Sequence, residues 1–316
     1  MADFTVFSWN LQTFGKTKWD LALKSVVKAI FEHISNESPF IGFLLEVFGE
    51  KDDISILCEY LNHTLGGDYK YFTTHAFFCQ GARNEWIVVL SSALPFTEGT
   101  LGVQEKIKPI LEQDKADAET KFNKHLEVIK NLGLRSRSNM SFPISISPSV
   151  DKFQDYDKEP DWYRQGIICF IDPSILPISV ASVHAPGPQY TDERIISAIM
   201  AATTLNKVDI LIGDLNYEGD IEDGNYSDLF ATTSKGTTVG KISGTLGSHR
   251  WDRILVAKGC GYRPVARDPI PPPQLEEGLF VSDHALMVVD FVKAPVVLSP
   301  PLSNGGGGGT KMDVEK

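Results

Sequence analysis

Short apolar runs, each closed or opened by one polar group, set the rhythm of this chain. Thr5 to Trp9 is followed by Asn10, Phe40 to Leu45 by Glu46, and Ile178 to Val183 by His184. Glu85 opens the run Trp86 to Leu90, Asp214 and Asn216 follow Asp209 to Gly213, and Asp283 with His284 stand at the mouth of the apolar stretch from Ala285. Runs of this length, bounded by polar or turn residues, read as buried strands. A carboxylate or imidazole buried alone in a strand costs several kcal/mol, so the repeated arrangement predicts that these groups are aimed at one shared cleft.

Between the strands the period changes. Trp19, Leu23, Val26, Val27, Ile30 and Ile34 recur at helical spacing, with Thr17 and Asp20 as a capping-box start. Phe122, Leu126 and Ile129 mark a second helical face between Val103 and Leu132, with Gly133 as its stop. Thr191, Asp192 and Glu193 begin a third helix whose acids suit the N-terminal dipole; Ile195, Ile196, Ile199 and Met200 form its buried face. That helix delivers the chain to a strand at Val208 to Ile212. Helices alternate with strands, yet steps such as 167–171 to 178–183 pass directly from strand to strand. The expected class is α/β: a four-layer sandwich of two packed, mainly antiparallel sheets flanked by helices. It forms a single domain over residues 1–295 that contains a helical insertion at about 98–165. The proline run 269–273 reads as a stiff extended loop. Residues 296–316 include five consecutive glycines and cannot bury apolar area, so they are expected to form a disordered tail.

Composition removes several classes. At 316 residues and 42% hydrophobic content the chain supports one large core. No apolar run approaches the roughly 20 residues of a membrane span, and the N-terminus shows no basic segment leading into an apolar one, so no signal peptide is expected. Cys58, Cys79, Cys169 and Cys260 lack the spacing of a zinc site or a disulfide framework. Cys79 and Cys169 read as reduced core residues, which suits a cytoplasmic protein. A formal charge of −11 offers no broad cationic surface for salt-driven nucleic-acid binding. It leaves room for a nuclease, because carboxylates that hold metal count toward that total.

Trp9–Asn10, Glu46 at the end of its strand, Gly-Asp-Leu-Asn at 213–216, Trp251–Asp252 and Ser-Asp-His at 282–284 together resemble the endonuclease/exonuclease/phosphatase superfamily, whose fold is that of deoxyribonuclease I. Each motif is weak alone; five in order, each at a strand edge, are specific. The resemblance spans about residues 4 to 292. It implies a Mg²⁺-dependent hydrolase, with Mn²⁺ as a possible substitute. Phosphoester cleavage calls for a hard cation on the non-bridging oxygens, and Mg²⁺ favours one or two carboxylates plus waters. Glu46 is the first candidate ligand, and the resemblance places Asn10 and Asp283 in the same shell, with Asn10 also touching substrate. His184 and His284 are the candidate acid and base. The family pairs would be Glu85 with His184 and Asp252 with His284, each carboxylate fixing its imidazole. Asp214 and Asn216, alternating along one extended segment, would share a face; Asp214 would orient or deprotonate water and Asn216 would donate to a phosphoryl oxygen. Arg164 resembles the family's phosphate-contacting arginine.

Two departures narrow the reading. Gln12 stands where many members carry an acid, which argues against a second metal. The segment Val47 to Lys51 lacks the arginine that deoxyribonuclease I puts into the DNA minor groove. The expected function is a Mg²⁺-dependent nuclease on DNA or RNA, DNA favoured, with no protein partner predicted. The alternative is a phosphomonoesterase of the inositol polyphosphate type, echoed by GDLNY at 213–217 and WDRIL at 251–255, but Glu218 replaces its arginine and the residue between Trp251 and Asp252 is missing. An inactive binding module is the remaining class, and the retained Glu46, His184, Asp214, Asn216, Asp283 and His284 speak against it. His33, His63, His75, His125 and His249 have no comparable context, His249 being nearest a motif.

Overall fold

A computed structural model describes residues 2–34, 38–65, 72–79, 84–131, 165–230, 236–239, 245–275 and 280–294. Two six-stranded sheets face one another. The first is built from β1 (Phe4–Phe14), β2 (Phe40–Phe48), β3 (Phe72–Phe78), β4 (Glu85–Ser92), β11 (Tyr262–Ala266) and β12 (Met287–Lys293). The second contains β5 (Phe96–Thr100), β6 (Ile167–Ile171), β7 (Ser179–His184), β8 (Ile210–Asp214), β9 (Tyr226–Asp228) and β10 (Asp252–Ala257). Their orders are β11-β12-β1-β2-β4-β3 and β5-β6-β7-β8-β10-β9. Each sheet holds one parallel pair, β1 with β2 and β7 with β8, and is otherwise antiparallel. The parallel pairs follow from crossover helices: α1 (Lys16–His33) joins β1 to β2 and α4 (Glu193–Leu205) joins β7 to β8. With α2 (Lys51–Leu65) and α3 (Val103–Asn131) these complete the expected four layers.

Strand alternation sorts the side chains into three cores. Phe4 and Val6 of β1, Ile41 and Phe43 of β2, Val180 of β7 and Ile210 and Ile212 of β8 pack between the sheets. Phe7, Trp9 and Leu11 turn the other way, onto Trp19, Val26 and Ile30 of α1. Ala181, Val183 and Leu211 likewise meet Ile195 and Ile199 of α4. Cys79 and Cys169 lie in the between-sheet core, as expected of apolar cysteines.

Local details depart from the sequence expectation. The cap of α1 is the backbone of Gly15, with no side-chain cap, so Thr17 falls inside the first turn and Asp20 beyond it, and the two do not form the capping box. Asp192, by contrast, caps α4, its Oδ1 accepting from the Arg194 amide at 2.9 Å and the Ile195 amide at 3.2 Å. The expected strand at Val208 begins two residues later, at Ile210. Residues 98–100 continue β5 in the sheet, so the helical stretch starts at Val103. The side chains of Phe122, Leu126 and Ile129, residue Gly133 and the tail 296–316 lie outside the described residues. Within the proline run, Ile270 exchanges backbone hydrogen bonds with Leu286, which fixes the approach to the Ser-Asp-His segment.

Candidate active site

The same alternation that buries the core carries polar residues into the gap between the sheets. On β1 the inward positions Phe4, Val6 and Ser8 lead to Asn10; on β8, Ile210 and Ile212 lead to Asp214; on β10, Val256 and Ile254 lead back to Asp252. Register then aligns neighbours. Asp214 pairs with His184 on its parallel side and with Asp252 on its antiparallel side, so three ionisable groups form a row at one end of the second sheet.

Glu46 breaks the rule. Its strand neighbours Leu44 and Val47 both point to the helix side, and the ladder slips between them. Glu46 occupies the bulge with φ of +55°, and this re-aims its carboxylate into the gap. There Oε1 accepts from Asn10 Nδ2 at 3.0 Å and Oε2 accepts from the Thr13 amide at 2.9 Å.

Two imidazole–carboxylate pairs face one another across Asp214. His184 Nδ1 lies 2.7 Å from Glu85 Oε1, and His284 Nδ1 lies 2.8 Å from Asp252 Oδ2. With Nδ1 held by a carboxylate, each ring presents Nε2 to the gap, 3.7 Å and 3.8 Å from Asp214 Oδ2. Asp214 is itself fixed, Oδ2 accepting from Asn10 Nδ2 at 2.9 Å and Oδ1 from the Asn216 amide at 2.9 Å. Burial opposes charge on His284, but the carboxylates of Asp252, Asp214 and Asp283 outweigh it and push the imidazole up to about 10. Burial also pushes the Asp252 carboxyl up, against the pull of His284. The pair therefore keeps a proton at neutral pH.

Segment 282–286 is tied to β1: Trp9 Nε1 donates to the His284 carbonyl at 3.0 Å, and Ser282 Oγ to the Asn10 carbonyl. Asp283 is held by Gln12 Nε2 at 2.6 Å, so the residue expected to exclude a second metal is a clamp on a neighbouring carboxylate.

The extended-segment reading of Asp214 and Asn216 is corrected. β8 stops at Asp214, and Asn216 adopts φ of +49° in a turn closed by the Asp214 carboxylate. Its Nδ2 reaches the Ala185 carbonyl at 3.2 Å, which keeps it beside His184. Arg164 lies outside the described residues. One member of the neighbourhood escaped sequence reasoning. His249 stacks on Trp251, with centroids 5.0 Å apart, and pairs with Glu218. Its only signal was proximity to the Trp251–Asp252 motif.

A divalent cation fits this donor set. Glu46, His184 and Asp214 each offer an atom within 4.8 Å of the others, as do Asp214, Asp252 and His284. Both groups are rich in hard oxygen donors, as Mg²⁺ prefers. Asp283 stands outside these two groups, and Asn10 spends its amide nitrogen on Glu46 and Asp214.

No protein-family model and no curated protein matches the sequence. Solved structures do match the fold. A humanized D. rerio TDP2 carrying 14 mutations has a TM-score of 0.56 at 11% identity, over 92% of this chain and 99% of that one. D. rerio TDP2 complexed with single strand DNA product gives 0.52 at 13% identity, and an endonuclease/exonuclease/phosphatase family protein from Leptotrichia buccalis gives 0.51 at 15%, each over 92% of this chain and 99% of the other. The chain thus has the deoxyribonuclease I-like fold, in agreement with its motifs.

Proposed function

We propose that the protein is a divalent-metal-dependent phosphoesterase that hydrolyses phosphodiester bonds of nucleic acid, with Mg²⁺ as the metal. The observation that carries this reading is the convergence of His184–Glu85 and His284–Asp252 on the two sides of Asp214. Two positioned imidazoles with one carboxylate between them suit in-line displacement, in which one side activates water and the other protonates the leaving oxygen.

The chain's own groups divide the work. Asp214, held by Asn10 and the Asn216 amide, is fixed to orient the attacking water. His284, which retains a proton with Asp252, is suited to stabilise or protonate an oxygen of the substrate. His184 takes its orientation from buried Glu85, and Asn216 offers an amide beside it to a phosphoryl oxygen. Glu46 and Asp214 would hold the cation with help from His184, and Asp283 is the remaining carboxylate at the rim. When bound, the cation supplies charge neutralisation on the non-bridging oxygens.

Against an inositol polyphosphate substrate stands Glu218, whose exposed carboxylate would repel additional phosphates. No helix among the described residues is long and apolar enough to cross a membrane. The test is a parallel digest of plasmid DNA, single-stranded DNA, RNA and a phosphoinositide, each with Mg²⁺ or EDTA. Metal-dependent cleavage of nucleic acid alone is the expected result; phosphate release from the phosphoinositide alone would replace the proposal with the phosphomonoesterase reading.

A further inference from the structure

His249, Glu218 and Trp251 form a third imidazole–carboxylate assembly outside the catalytic cluster, and its construction differs from that of the other two. The side chains of His249 and Glu218 are about half exposed, at 50% and 57%. Their backbones are nevertheless locked into the catalytic frame. The His249 carbonyl accepts from the amides of Thr237 at 2.7 Å and Thr238 at 3.3 Å. Thr237 Oγ1 in turn accepts from the Asp252 amide, and Thr238 bridges to His284. On the other side, fully buried Arg253 donates to the Tyr217 and Gly219 carbonyls that flank Glu218, at 3.1 Å and 2.9 Å. An exposed pair with both ends anchored to the core holds its place without a ligand, as a preorganised contact surface should.

The rings line up with the site. His249 lies nearly parallel to Trp251, at 21°, and Trp251 lies 6.2 Å from the catalytic His284. One face of the His249 ring is covered by the indole, and the Glu218 carboxylate holds Nδ1, which prevents the ring from turning. The local charge selects among ligands. Glu218, Asp220, Glu222 and Asp223 crowd one loop, and Arg250 lies 3.7 Å from Asp220. A second phosphate would meet repulsion here, whereas a neutral aromatic ring with N–H groups would meet a stacking face and a carboxylate acceptor.

We propose that the His249–Trp251 stack, fixed by Glu218, is a platform for one unstacked nucleobase next to the scissile phosphate, which makes single-stranded nucleic acid the preferred substrate. This rests on the phosphodiesterase reading of the adjacent site. A base must leave its duplex neighbours to lie on a protein ring, and such stacking tolerates any sequence because every base has a π-face.

The experiment compares the full-length wild type with His249→Ala and His249→Phe, in Mg²⁺, on a single-stranded oligonucleotide and on the same strand with abasic residues around the cleaved bond. His249→Ala should raise KM for the intact strand about tenfold, the size of one base stack, with kcat changed less than about twofold. The difference should vanish on the abasic strand, and His249→Phe should recover most of the loss. An unchanged KM in His249→Ala, an equal loss on both strands, or failure of His249→Phe to recover overturns the platform while leaving the phosphodiesterase intact. Should the wild type cleave neither strand, the phosphodiesterase reading fails separately. Anisotropy of a fluorescein-labelled hexanucleotide then decides the platform: weaker binding by His249→Ala supports it, and equal binding overturns it.

Discussion

Glu46 and Asn216 owe their positions to local backbone turns that the linear sequence does not display. The chain announced Glu46, His184, Asp214, Asp283 and His284 because each bounds an apolar run, and Asp252 through its motif; strand register then brings Asp214 beside both His184 and Asp252. Glu46 was legible as a candidate but its route into the gap was not, since a bulge with positive φ is a tertiary compromise that no local pattern encodes. Asn216 stands beside Asp214 through a turn closed by the Asp214 carboxylate, not along the extended segment expected. His249 was missed because an exposed half-stack leaves no periodic trace. At this scale His184→Ala or His284→Ala should lower kcat by about 10² to 10⁴ with the far-ultraviolet circular dichroism unchanged, the usual span for a lost general acid or base. Glu85→Gln should lower kcat about 10- to 100-fold in steady-state assays, because the Glu85 carboxylate orients His184 through Nδ1.

Element boundaries were read less well than element identities. The helices were found from their apolar faces, yet α1 is capped by a glycine backbone in place of the expected threonine, because Thr17 falls inside the first turn once Gly15 turns the chain. The cap of α4 was legible, since an aspartate preceding an apolar helical face carries its own mechanism. Asp192→Ala should cost about 1 kcal/mol of stability by chemical denaturation. Burial works against charge on Asp192, but Arg194 and the amides of Ile195 and Arg194 outweigh it, so its carboxyl lies below the usual range. A lowered folded-state pKa stabilises above the unfolded value and is lost as pH falls through the folded one. The gap between wild type and Asp192→Ala should therefore be full at about pH 6 and close below about pH 4. Gly213 makes the complementary case at a strand end. With φ of +144° and a would-be Cβ 2.0 Å from the Val183 carbonyl oxygen, Gly213→Ala should destabilise the β7–β8 junction and reduce activity by displacing Asp214. A variant as stable and active as wild type would contradict this packing.

For the molecule as a whole, the four layers were legible from the order of runs and the crossover helices, because each parallel pair requires a connection long enough to hold one. The two sheets bury their apolar residues against each other and so leave their polar strand ends gathered in one gap, where Glu46, Glu85, Asp214, Asp252 and Asp283 concentrate negative charge. A divalent cation that binds only the folded gap relieves this crowding and must stabilise the fold, by about 2.7 kcal/mol at a hundredfold excess over its Kd. Saturating Mg²⁺ should raise the Tm of the wild type, and Glu46→Gln should remove most of that increase. The most direct measurement of the central claim is the initial rate of cleavage of a single-stranded oligonucleotide by wild type, His184→Ala and His284→Ala, each titrated with Mg²⁺ and then with EDTA. The account predicts wild-type cleavage that saturates in Mg²⁺ and is abolished by EDTA, with either histidine variant slower by about 10² or more. Cleavage at close to the wild-type rate after either histidine substitution, or cleavage that persists in EDTA, would contradict it.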